Sequence, residues 1–270
     1  MEKNIFGKIK TEAHSKASTY LKILVVFLAV LTVYQMVTMD TGNKDFFTAT
    51  SDTLRNINTV FLSPMLRRDT LGGIINVLMV TLCIAVLSTI FGAIFALICA
   101  LLCADNLANK KVAAVVKAIV AVVRAIPTVL WVLIFAVSAG LGATAAVVGL
   151  TFHSFAYLVK AYSEAIEEDD KGKIEALRAS GAGFMALVTQ AIFPSCIRML
   201  VAWTFMRFEI NFTNAVAMGA AAGAGGIGYN LYMAGNMYFD LREMGFLTYV
   251  VLIMVIILEQ ISTRFKESVK

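Results

Sequence analysis

Glu175-Ala176-Leu177-Arg178-Ala179-Ser180-Gly181, with Pro194 following after a mostly apolar run, is a short polar stretch set between long apolar ones. Ile174, Leu177 and Arg178 recur at spacings of three and four, so they share one side of a helix. Gly181 ends that helix without a side-chain penalty. A second helix follows, and Pro194 marks entry to the next apolar span. Ahead of the stretch, Glu164, Glu167, Glu168, Asp169 and Asp170 place negative charge where it favours the start of a helix, and Gly172 interrupts the first turn. Read from its residues alone, the segment is either an amphipathic connector resting on a membrane surface or a knob on which a soluble partner pushes.

Composition fixes the medium around it. Of the 270 residues, 59% are hydrophobic and 15% charged, whereas soluble domains run near 25% charged. The chain is therefore read as an all-α integral membrane protein. Its net charge of +5 does not indicate nucleic acid, because the lysines and arginines sit mainly between apolar runs. Cys83, Cys99, Cys103 and Cys196 fall in or beside apolar helices, which favours packing over a disulfide or metal site. No small-residue cleavage pattern follows the first apolar run, so that span is expected to stay.

A helical crossing needs about 20 apolar residues, and six segments qualify. They run from about 23 to 39, 72 to 104, 112 to 139, the Gly140-Leu141-Gly142 turn to Tyr162, 194 to 218, and 245 to 263. The third passes through Lys117, Arg124 and Pro127. The chain divides into an arm (1–22), a first span with its outer loop (23–69) and a main membrane domain (70–268), whose polar segment is about 164–194. Lys3, Lys8, Lys10, Lys16, Lys22, Lys110, Lys111, Lys160, Lys171, Lys173, Arg178, Arg264, Lys266 and Lys270 fall on one side of six crossings. Short basic loops stay inside, so both termini and the Glu175 segment are expected to be cytoplasmic. Phe46, Phe47, Phe61 and Leu62, among polar residues of the 40–70 loop, suggest a short helix on the outer surface, facing a binding protein.

The Glu175 segment resembles the cytoplasmic coupling motif of ABC importer permeases, with Glu175, Ala176, Gly181 and Pro194 at matching positions and Leu177, Ala191 and Phe193 departing from it. The likeness extends over roughly 70–268 to one branch, the phosphonate, phosphite or phosphate permeases. It is carried by Arg124-Ala125-Ile126-Pro127 with Trp131, Glu164-Ala165-Ile166-Glu167-Glu168, the run from Glu175 to Ala182, Arg207-Phe208-Glu209-Ile210-Asn211, and Gly223-Ala224-Gly225-Gly226-Ile227-Gly228. The resemblance implies a type I importer permease fold with six transmembrane helices and a cytoplasmic coupling helix. It further implies a homodimer in a bacterial plasma membrane, whose Glu175, Ala176, Leu177, Arg178, Gly181 and Pro194 couple to an ATPase dimer, with an extracytoplasmic substrate-binding protein delivering ligand. ATP and Mg would be held by that separate ATPase, since this chain has no Gly-x-x-x-x-Gly-Lys-Ser/Thr sequence. Thr213 and the stretch Ala220–Ala222 depart from the branch, so the phosphorus oxyanion carried stays open, as does another small solute.

Charges inside spans point to a pathway. Arg124 and Arg207 lie about twelve residues in from the cytoplasmic ends of their spans, roughly 18 Å along a straight helix. A charge there costs roughly 2.5 to 3.5 kcal/mol, so it faces a partner or a watery cavity. Arg207, Asn211, Asn214 and Met218 share one face, and Glu209 points the other way with Thr213. In one reading Glu209 pairs with Arg124 or Lys117, leaving Arg207 and the asparagines to line a path for a small oxyanion. In the other, all are buried ion pairs that set helix register. The Gly223–Gly228 run fits a dinucleotide fingerprint only as a string, because no strand precedes it. Gly223, Gly225, Gly226 and Gly228 are expected to break the outer end of the fifth span or to form a flexible loop, and Gly219 with Gly223 has the spacing of tight helix contact. His14 is expected to be solvated, His153 to be hydrogen-bonded between helices, and Trp131 and Trp203 to pack.

Two other classes stay open. An ion-coupled secondary transporter would depend on Glu209 and Glu259, though no inverted repeat is apparent. A membrane enzyme would need a cluster of His, Cys, Asp or Glu, and the acidic run at 167–170 resembles a helix start instead.

Overall fold

The structure, a computed structural model, describes residues 16–38, 45–168 and 171–267, excluding the side chains of residues 171, 265 and 266. Expectations on Lys3, Lys8, Lys10, His14, Asp40, Lys44, Asp169, Asp170 and Lys270, and on the side chains of Lys171 and Lys266, lie outside these residues. All regular structure among the described residues is helical. A helix satisfies its own backbone polar groups, which hydrocarbon demands because no water is available there.

The chain forms two compact units, Met1–Arg55 and Asn56–Lys270. The first holds α1 (Lys16–Thr38) and most of α2 (Phe46–Leu62); every residue of α1 is exposed. The second is built on α3 (Leu71–Cys103), α6 (Ala143–Glu167) and α9 (Phe193–Ala222). Of these, α3 and α6 make the most extensive contact. Small residues permit it: a Cβ on Gly92 would stand 2.6 Å from that of Ser154, and Ala96, Ala100, Ala146 and Ala156 are fully buried. Close backbone approach gives van der Waals contact where lipid supplies no hydrophobic drive.

Five described helices are long and apolar enough to cross a bilayer. A sixth crossing exists only if α4 (Lys110–Ala125) and α5 (Thr128–Ala139) are taken together, and these meet at 85°. The straight third span expected from sequence is thus broken. Pro127 disfavours the helical conformation at the residue before it, and Ile126 is extended with φ −83 and ψ 121. Trp131 Nε1 donates to the Val123 carbonyl across the break at 3.2 Å.

Two further boundaries differ from expectation. Helix α6 continues past Tyr162 to Glu167, so Glu164 and Glu167 lie in its last turns rather than ahead of the next helix. Carboxylates oppose the dipole there, and cations offset them: Lys160 Nζ lies 3.5 Å from Glu164 and Lys117 Nζ 3.7 Å from Glu167. The fifth span starts well before Pro194. Helix α7 (Lys171–Ala179) is followed by α8 (Phe184–Leu187), a π-helical turn (Val188–Ile192) and α9, and from Phe184 to Ala222 the helix is continuous over 39 residues. Pro194 has no N–H and its ring crowds the carbonyl four residues back; the wider π turn ahead of it accommodates both defects.

At its far end α9 stops at Gly223, φ 62, and α10 (Gly226–Tyr232) folds back along it before a π turn (Met233–Met237) and α11 (Leu241–Glu267). A Cβ on Gly219 would stand 2.6 Å from the Gly225 carbonyl, and one on Gly228 would overlap that of Val216. Gly228→Ala is expected to cost about 1–3 kcal/mol through overpacking, read as a lower melting temperature of the detergent-solubilised protein. Gly72→Ala, where an added Cβ meets nothing within 4 Å, should leave that temperature unchanged or slightly raised.

Candidate functional site

The Glu175 segment is the sharply capped helix α7. Its inner face places Ile174 at 2% exposure and Leu177 against the core around Val188 and Ile192, while Glu175 and Ala176 are exposed. The helix closes with Ala182 N–H donating to the Leu177 carbonyl and Gly181 N–H to that of Arg178, both at 3.0 Å. Gly181 has φ 84, the left-handed conformation this cap requires. The result is a two-helix knob, α7 and α8, joined by a tight turn.

Arg178 is exposed like Glu175, but its guanidinium reaches back to the protein. Its Nη2 donates to the Asn106 and Leu107 carbonyls at 2.9 and 3.4 Å, in the loop between α3 and α4. Asp105, Asn106, Glu167, Ile174, Glu175 and Arg178 line an open pocket of about 480 Å³. The loop is also held by α6, where the Glu167 carboxylate accepts from Asp105 N–H at 2.9 Å and the Ile166 carbonyl from Asn106 Nδ2 at 2.8 Å. This partnership went unread in the sequence, although Asp105, Asn106 and Asn109 between two apolar runs already marked a structured turn.

The second cluster lies where α3, α6 and α9 cross. Arg207 is 1% exposed, Ser154 and Asn211 0%, and Thr89 3%. Arg207 Nε donates to Ser154 Oγ at 3.1 Å. Asn211 Nδ2 donates to Thr89 Oγ1 at 2.8 Å and to Ser154 Oγ at 2.7 Å. The guanidinium stands 5.1 Å from the Tyr157 ring centroid, within cation–π range, while among the described residues its Nη2 has no hydrogen-bond partner, nor has Nδ1 of the neighbouring His153.

Several expectations change. Lys117 is bound to Asp105, Nζ to Oδ1 2.8 Å, and not to Glu209. Arg124 makes no ion pair with Glu209 either; it is exposed in the last turn of α4, just before the 85° bend, so its depth along a straight span no longer follows. Arg207 and Asn211 turn into their own chain rather than onto its surface, while Glu209 and Asn214 are half-buried. Thr89 and Ser154 escaped the sequence reading as partners because a hydroxyl in an apolar run equally often bonds its own helix, as Ser154 Oγ also does to the Leu150 carbonyl at 2.7 Å. Of the glycines, Gly219 and Gly228 lie in the α9–α10 contact and Gly223 and Gly225 form the turn. Gly226 abuts Thr81, whose Oγ1 accepts the Ile227 N–H at 3.0 Å.

Residues 92–267 match the profile of the family described as "Binding-protein-dependent transport system inner membrane component". The chain belongs to this family. The permease is thus a multi-pass inner membrane protein. It is 34% identical over 120 residues to the phosphate-import permease protein PhnE of Mycolicibacterium smegmatis, covering 44% of this chain and 22% of that one. It is 32% identical over 147 residues to the phosphite transport system permease protein PtxC of Stutzerimonas stutzeri, covering 54% and 53%. The permease therefore spans about half the length of PtxC and less of PhnE. Its fold is similar to that in inward-facing structures of the MetNI methionine ABC transporter, with a TM-score of 0.68 at 25% identity over 76% of this chain and all of that one.

Ser154→Ala removes the acceptor for Arg207 Nε and a partner of Asn211. It is expected to cost about 1.5–3 kcal/mol, as for a lost hydrogen bond to a charged group, seen as a lower melting temperature. Adding Arg207→Met, which removes the stranded charge, should recover part of the loss. A purely additive pair would show that the two side chains are not coupled.

Proposed function

We propose that this chain is the membrane permease subunit of an ATP-driven importer for a phosphorus oxyanion: a phosphonate, phosphite or phosphate. The observation that carries the reading is the capped α7–α8 knob presenting Glu175 and Ala176 to solvent, on a chain whose relatives include phosphate and phosphite permeases. Such a knob fits a cleft on a soluble ATPase that holds ATP and Mg; hydrolysis belongs to that subunit. The lysine and arginine distribution puts the knob and both termini in the cytoplasm. A substrate-binding protein delivers ligand from outside, and a second copy of the chain completes the path. ATP binding closes the ATPase dimer, draws the paired knobs together and opens the path outward; hydrolysis resets it.

Within the path, the role of each charge follows from its surroundings. Arg207 is enclosed by its own chain and ties α9 to α6 through Ser154, beside the Asn211 bond to Thr89 of α3. Arg124, exposed at the α4–α5 break, is the cation placed to meet an anion. A second reading, import of another small solute, is favoured by the likeness to the methionine transporter.

Glu175→Arg should abolish recovery of a P-loop ATPase with the tagged permease purified from its own host in mild detergent. Recovery of the ATPase with both forms would remove Glu175 from the interface, and recovery with neither would sink the importer reading. Arg124→Gln is expected to lower cellular uptake of labelled phosphite about tenfold, or about 1.4 kcal/mol, with the complex intact. Unchanged uptake, where the wild type takes up phosphite, would take Arg124 out of the path.

A further inference from the structure

The chain runs from α6 into α7 and from α7 into α8, so motion of α7 reaches α6 and α9 through covalent connections. No such connection joins α7 to α3 or α4. What crosses that gap is a face of side chains. Ile174 and Leu177 contribute apolar contact, which is non-directional and permits sliding. Arg178, four residues after Ile174 and on the same face, contributes charge-assisted hydrogen bonds, which fix both distance and direction.

Its acceptors, the Asn106 and Leu107 carbonyls at 2.9 and 3.4 Å, belong to a rigid turn. Ala108 N–H and Leu107 N–H both donate to the Ala104 carbonyl, at 2.9 and 3.0 Å. The turn lies just beyond the C-terminus of α3, where helix carbonyls accumulate negative potential and a cation is favoured. From α4, Lys117 Nζ grips Asp105 Oδ1 at 2.8 Å, and from α6 the Glu167 carboxylate accepts the Asp105 N–H at 2.9 Å. A pull on these carbonyls therefore acts on α3, α4 and α6 together.

We infer that Arg178 is a positioning residue that transmits displacement of α7 to the α3–α4 loop, so that α3 and α4 follow the knob along with α6 and α9. This rests on the importer reading above and changes the part Arg178 has in it: the residue faces the permease rather than the motor. Both side chains are exposed and line the same pocket, but it is Arg178 that hydrogen-bonds the α3–α4 loop, which leaves Glu175 for the ATPase.

The test uses the permease co-purified with its ATPase from its own host, with hydrogen–deuterium exchange measured without nucleotide and with ATP plus orthovanadate. In the wild type, nucleotide should change exchange in both 171–187 and 104–117. Arg178→Ala should keep the ATPase and the change in 171–187 but lose the change in 104–117. Arg178→Lys, which keeps a charged donor, should restore part of it. An undiminished response of 104–117 in Arg178→Ala overturns the inference. So does loss of the ATPase from that variant, because Arg178 would then belong to the docking face. Absence of an ATPase from the wild type removes the importer reading itself and this inference with it.

Discussion

A guanidinium in hydrocarbon has no water to turn to, so Arg207 must find its partners inside the protein. It takes Ser154 from α6, which shares Asn211 of α9, which in turn holds Thr89 of α3. Three long helices are thereby fixed at one point by hydrogen bonds that permit no sliding. The glycine at position 92 lets α3 come close enough to α6 for this to happen. The turn after α9 docks onto α3 through Thr81, and the α3–α4 loop is gripped at the other end of the same helix.

This arrangement gives the two ends of α9 different characters. One end continues into α8 and the knob, held to the protein by directional contacts around a polar pocket. The other is capped by a left-handed glycine and locked by close backbone contact with α10. Next to it, Glu243 is 3% exposed and accepts the N–H groups of Arg68 and Asp69, each at 3.1 Å, while Asn230 donates to Asp69 at 2.8 Å. Polar side chains thus tie the entry to α3 to the start of α11 without a salt bridge of ideal geometry.

Most of the architecture was legible because hydropathy and a few breakers dictate it. The apolar runs gave the helices, and Gly181 gave the end of α7 through a conformation that other residues rarely adopt. The bend at Pro127 was signalled by the proline, yet the apolar count on either side masked it, since composition reports how much can cross a membrane and not whether it does so in a line. The partners of the charges were not legible. Helical spacing says which residues of one helix share a face, but it carries no information on which neighbour that face meets. Lys117 therefore met Asp105 and Glu167, and Arg207 met the Ser154 hydroxyl where one reading had it line a path and the other put it in an ion pair. Arg178 shows the same limit on a smaller scale: Ile174 and Leu177 gave its face, and its bonds to the Asn106 and Leu107 carbonyls lay beyond what that spacing tells.

The continuous helix from Phe184 to Ala222 has a mechanical consequence. At 1.5 Å per residue its 39 residues make a shaft of about 58 Å, against a hydrocarbon layer of about 30 Å. Turning such a shaft by about 5° sweeps one end by about 5 Å relative to the other. The π turn at 188–192, beside the knob and followed by a proline that cannot complete the backbone ladder, is the soft joint in an otherwise stiff rod. Under the proposed coupling, compliance concentrated at the knob end would let the knob reseat without twisting the shaft, so that what reaches Gly223 would be rotation of the rod as a whole and not distortion spread along it.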